Sequence, residues 1–214
     1  MGQPLPVWGR VGVEPTFPRA PSHGRLRVHD KNRDGFSRGV VLVDAVEYFE
    51  FVRDSPFRMA LSAGDPSRNC LTKSVILKAL LSSLGLKARY ALCRFSWNDL
   101  DLPKSLKEIP HRDVVHVFLE VYSEEQARWM TVDATWDKGL SSKLRVSHWD
   151  GRNDTTIGVP PTERLSPIEG EKELDAFFDT PGIRKWLDLP MDSSSKVNGR
   201  FYEALNEWTE SLRP

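Results

Sequence analysis

Three residues of this chain are of the types that covalent acyl transfer needs, and they occur in a fixed order. Cys70 follows Asn69 at the head of an apolar segment, His116 lies in Val-Val-His-Val-Phe-Leu-Glu-Val-Tyr, and Asp133 lies in Trp-Met-Thr-Val-Asp-Ala-Thr-Trp-Asp. A thiol attacks a carbonyl, an imidazole moves the proton, and a carboxylate orients the imidazole. Whether the three can act together depends on the elements that carry them.

The segment from Leu71 to Leu84 has a broad apolar face and ends at Gly85, which suits a left-handed cap, so it reads as a helix. Val75, Ile76, Leu77, Leu80 and Leu81 make it apolar on most sides, as expected of a central element. Cys70 then sits at the helix mouth, where free amides and the positive end of the dipole favour a thiolate. Ala88 to Trp97, Asp113 to Tyr122 and Ala127 to Trp136 alternate and are rich in β-branched and aromatic residues, so they read as strands. The last two flank Ser123 to Gln126, a hairpin turn. With Tyr122 opposite Ala127, His116 lies directly opposite Asp133, side chains on one face with Cβ atoms about 5 Å apart. A slip of one residue would separate them. Val114, Phe118 and Thr131 share that face, and the Cys70 helix is a natural cover for one side of the sheet.

Elsewhere the signals are coarser. Residues 1–38 carry Pro4, Pro6, Pro15, Pro18 and Pro21 without periodicity and read as a disordered extension, leaving a single domain over 39–214. Leu42, Val46, Phe49 and Val52 mark a helix over 41–53, stopped by Pro56. Ser62 to Asn69 reads as a loop and Asn98 to His111 as a polar connection. Thr156 to Val159 is a short strand candidate, and 163–176 a solvated charged segment. Short helices are expected over 171–178 and 183–187. A longer one runs over 198–212, with Phe201, Leu205, Trp208 and Leu212 on one face.

Thirty basic and thirty acidic residues cancel, so composition forces no basic patch and nucleic acid is not an expected partner. There is no 18-residue apolar run and no signal-peptide pattern, so no membrane span is expected. Two cysteines, Cys70 and Cys93, make no disulfide framework, and a reducing cytoplasmic setting would keep a thiol usable.

Residues 41–137, somewhat under half the chain, resemble the transglutaminase-like core of the papain-like thiol enzymes. The family's Ala-Leu-Leu…Leu-Gly-aliphatic-Ala-Arg segment, into which its cysteine helix continues, is matched by Lys78 to Tyr90. His116 to Tyr122 matches its His-x-x-x-Glu-Val-Tyr strand, and Val132 to Trp136 its Val-Asp-x-Thr-Trp stretch. The resemblance implies Cys70 as nucleophile, His116 as base and Asp133 as orienting carboxylate. It also implies an α+β papain-like fold with the nucleophile helix packed on an antiparallel sheet. Asn69 stands where the family often has Asp or Glu, and no upstream Trp matches the oxyanion residue of animal transglutaminases. The missing Trp weakens transamidation more than hydrolysis.

Each residue also has a plainer reading. Cys70 alone could be a buried structural thiol, and Cys93, mid-strand, reads as core. His148 is a competing base without a definable register to Cys70. His111 and His116 point to opposite sides of an extended strand and make a poor metal pair. No zinc, calcium or HExxH spacing appears, so no metal or cofactor is expected. The expected activity is thiol-dependent hydrolysis or acyl transfer on a peptide or protein amide through a thioester. The alternative is a catalytically silent module of the same fold that binds protein.

Overall fold

The computed structural model describes residues 36–61, 67–181, 183 and 196–214. The first helix, α1 (Phe36–Asp54), begins ahead of the expected boundary at 39. Residues 1–35, most of the expected extension, lie outside the described residues, as do 62–66 of the expected loop. The second helix is α2 (Cys70–Ser83). The strands are β1 (Ala88–Phe95), β2 (Val114–Ser123), β3 (Arg128–Val132) and β4 (Glu163–Ile168), and between the first two lies the single-turn helix α3 (Lys104–Lys107). After the sheet come α4 (Glu171–Asp179) and α5 (Lys196–Ser211). The class is α+β, with one antiparallel sheet in the order β3-β2-β1-β4.

Strand alternation sorts the core into two layers. On one face Tyr90 and Leu92 of β1, and Val115, Val117, Leu119 and Val121 of β2, meet Ala45, Phe49 and Val52 of α1 and Leu77 and Leu81 of α2. Leu174 of α4 joins this layer. On the other face Ala91, Cys93, Phe95 and Phe118 meet Trp97, Leu100, Leu102 and Leu106, with Phe201 and Leu205 of α5. The connection 98–111, read as polar, therefore supplies three leucines to the core. Its apolar residues are isolated among charges, so no window of it has a recognisable period.

The boundaries of α2 follow from local chemistry. Asn69 is extended (φ −88°, ψ −176°), and its Oδ1 accepts the Thr72 amide at 3.1 Å, which makes Cys70 the first helical residue. At the far end Gly85 has φ 79°, with Gly85 N–H donating to Ser82 O and Leu86 N–H to Leu81 O. This is the paired closure that a left-handed glycine allows. Ser74 Oγ donates to Val117 O at 3.1 Å and pins the helix over the middle of β2.

Two strand expectations change. No strand is found at 156–159, where Gly158 is instead held against the loop carrying Asp133. The fourth strand lies at 163–168, inside the segment read as solvated surface, and most of its residues are indeed exposed. It is an edge strand pairing only with β1, which is why Pro167 and its charges are tolerated there. Of the helix expected over 183–187, only Ile183 is described, and it is helical. Among the described residues no helix is long and apolar enough to cross a membrane.

Candidate active site

The β2–β3 register differs from the sequence expectation. Tyr122 faces Trp129 and Ser123 faces Arg128, so β3 is displaced by two residues and Asp133 is not directly opposite His116. The turn runs over 124–127, and Ala127 closes it in the left-handed region at φ 50°. That conformation is unfavourable for a residue with a Cβ, and no Gly or Asn marks it in the sequence. An even displacement preserves the face. The ladder ends at Leu119 opposite Val132, and Asp133, just past the strand, approaches His116 diagonally.

The contact is short: His116 Nε2 and Asp133 Oδ2 are 2.7 Å apart, with both side chains about 1% exposed. Asp133 is clamped by its backbone surroundings. Its Oδ2 accepts the Gly158 amide at 2.8 Å, its Oδ1 accepts the Thr135 amide at 3.0 Å, and its own amide donates to Thr155 Oγ1 at 2.9 Å. Burial alone would push this carboxyl up, but His116 and these donors outweigh it and hold the carboxyl below its usual range. The close approach requires a glycine at 158. A Cβ there would sit 2.8 Å from the Trp136 ring, whose Nε1 donates to Gly158 O at 2.7 Å.

Nε2 is committed to Asp133, so the interaction of His116 with the Cys70 side chain falls to Nδ1. Burial pulls the imidazole down, but Asp133 first and then Cys70 reverse this and lift it to about 10. The ring stacks on Phe118 (5.7 Å between centroids) and meets the edge of Phe95 (6.0 Å). Cys93 lies directly across the ladder from His116, fully buried, and burial pushes its thiol up to about 12. Cys70 is half-buried. His148 is exposed, and among the described residues no interaction ties it to Cys70, His116 or Asp133.

Two further residues belong to this region and were not legible in the sequence. Burial raises the phenol of Tyr202 in α5, and the nearby Cys70 side chain raises it further. Asn198 Nδ2 reaches its hydroxyl at 3.5 Å. In the sequence, α5 shows only its apolar stripe. Lys73, one turn after Cys70, is about 1% exposed, and its Nζ donates to Arg53 O at 2.8 Å and Thr135 O at 2.9 Å. It ties α2 to the end of α1 and to the Asp133 loop.

No family model, curated protein or solved structure matches the chain.

Burial draws Lys73 down to about 7 despite Asp137, Asp133 and Asp54 nearby. An unfolded lysine stays protonated to about 10.4. Between those values the unfolded chain binds the extra proton, and stability rises with pH. His116 acts oppositely: it titrates near 6.5 unfolded and about 10 folded, so its contribution falls over the same range. In Lys73→Met only the falling contribution remains. Urea unfolding between about pH 7 and 9 should show the variant losing stability with pH relative to wild type, by up to about 1.4 kcal/mol per pH unit. Parallel curves would show that Lys73 stays charged when folded.

Proposed function

We propose that the protein is a thiol-dependent amide hydrolase or acyltransferase of transglutaminase-like, papain-like architecture, with Cys70 as nucleophile. The observation that carries this reading is the single imidazole placed between Cys70 and the clamped carboxylate of Asp133. An imidazolium beside the sulfur is a counter-ion for the thiolate.

In the proposed cycle Cys70 Sγ attacks the carbonyl carbon of an amide, forming a C–S bond while the π pair moves to oxygen. As the tetrahedral species collapses, the C–N bond breaks, and the nitrogen leaves with the proton that His116 Nδ1 gives up. The resulting thioester is attacked by water, whose proton passes to the now neutral His116. Collapse then releases the acid and restores the thiolate–imidazolium pair. Asp133 keeps the ring in the tautomer that presents Nδ1 to sulfur throughout.

Water is the expected acceptor. Incubation with a panel of peptide amides plus dansylcadaverine should yield free acid in excess over dansylated product, with both lost in Cys70→Ala. Amine incorporation dominating over acid would keep the residues but change the reaction to transamidation. Absence of both products, in a protein whose Cys70 fails to alkylate, would point to the protein-binding module.

A further inference from the structure

Next to the segment that holds Asp133 lies a cleft of about 560 Å³ on the His116 face of the sheet. Its lining includes Glu120 of β2, Trp129 and Thr131 of β3, Arg164 of β4, and Asp154 and Arg145 from the segment after β3. The face assignment follows from register: Arg164 pairs with Cys93 and Cys93 with His116, in one row across the strands. The Arg164 guanidinium lies 5.9 Å from the centre of the Phe118 ring, and Phe118 stacks on His116. Val159 lines the cleft next to Gly158, whose amide holds Asp133.

The charges in this cleft are unequal. Glu120 is taken by Arg89 at 2.8 Å, and Asp154 by Arg128 at 2.6 Å and by the Thr131 amide at 2.7 Å. Both arginines that neutralise them come from outside the lining. Arg145 and Arg164 remain, both exposed, and among the described residues neither forms an ion pair. Two planar forks without a carboxylate, over a floor whose acids are already satisfied, suit an anionic group.

We infer that this cleft binds an acidic side chain of a peptide substrate through Arg145 and Arg164. The identification of the occupant as substrate rests on the acyl-transfer reading above; the anion preference of the cleft does not. Arg164 is two ladder steps from His116, roughly 10 Å.

The test uses the full chain and fluorescein-labelled tetraglutamate, tetraglutamine and tetralysine peptides, read by fluorescence anisotropy. Tetraglutamate should bind at least about tenfold more tightly than either other peptide. The preference should shrink between about 50 mM and 500 mM NaCl. It should vanish in Arg145→Gln/Arg164→Gln, whose melting temperature should match wild type because both side chains are exposed. Cys70→Ala should bind as wild type does, so a failure of the thiol chemistry leaves this result standing. Equal binding of the three peptides overturns the inference. So does a glutamate preference that survives in the double variant, or one lost in Arg145→Gln/Arg164→Gln only together with its cooperative melt while each single variant, still folded, retains it in full.

Discussion

Iodoacetamide at about pH 7.5 should alkylate Cys70 at least roughly a thousandfold faster than Cys93. The two thiols are neighbours in space but differ in every property that governs attack. Cys93 is fully enclosed between His116 and the outer layer of the sheet, and its thiol is pushed up to about 12. At the assay pH only about one Cys93 in thirty thousand is ionised. Cys70 is half-exposed at the first position of a helix and interacts with an imidazole that burial disfavours as a cation but Asp133, and after it Cys70, favour. Peptide mass spectrometry after timed quenching gives both rates in one sample. His116→Ala should slow Cys70 by about tenfold or more, because the counter-ion is gone while the helix dipole stays. Comparable labelling of both cysteines in folded protein would leave the proposed enzyme without its nucleophile.

How far the site was visible in advance depends on the range of the forces that build it. The α2 boundaries were legible because Asn69, Cys70 and Gly85 act through backbone groups within a few residues. The strand faces were legible because alternation is local, and this is why His116 and Asp133 stayed on one side despite the changed register. The register itself depends on Ala127 adopting a conformation for which its side chain gives no signal. β4 was hidden because an edge strand covered on few sides needs no apolar run, and its pairing to β1 is entirely long-range. Lys73 shows the same limit from the other direction. On a helix read as central, a lysine suggests a solvated face, whereas its two acceptors are carbonyls far away in sequence. The support of Asp133 by Gly158 likewise arises where the sequence suggested a strand, and that by Thr155 just ahead of it.

Asp133→Ala should destabilise the protein by about 3–5 kcal/mol near pH 6, the cost of leaving a buried charge without its partner. It strips acceptors from His116 Nε2 and from the amides of Thr135 and Gly158, all buried or part-buried. Asp133→Asn separates charge from shape. Its single carbonyl oxygen can face His116 and Gly158, but its NH₂ then meets the Thr135 amide, donor against donor. The ring also loses the carboxylate that, ahead of Cys70, lifts it to about 10. The pH dependence of the difference between wild type and this variant follows in sign. Asp133 lies below 3.8 when folded, so its contribution is present above 3.8 and is lost as pH falls through the folded value. His116 is raised, so its contribution is full below 6.5 and is lost as pH rises toward 10. Wild type should therefore exceed Asp133→Asn most between about pH 4 and 6.5, with the gap narrowing steadily by pH 9. Urea unfolding at about pH 5, 7 and 9 measures it, and Cys70 alkylation in the same variant should slow along with the loss of the imidazolium. A gap that stays constant from pH 5 to 9 would mean that Asp133 acts on His116 through packing alone, and the proton required by the leaving amine would have to come from another group.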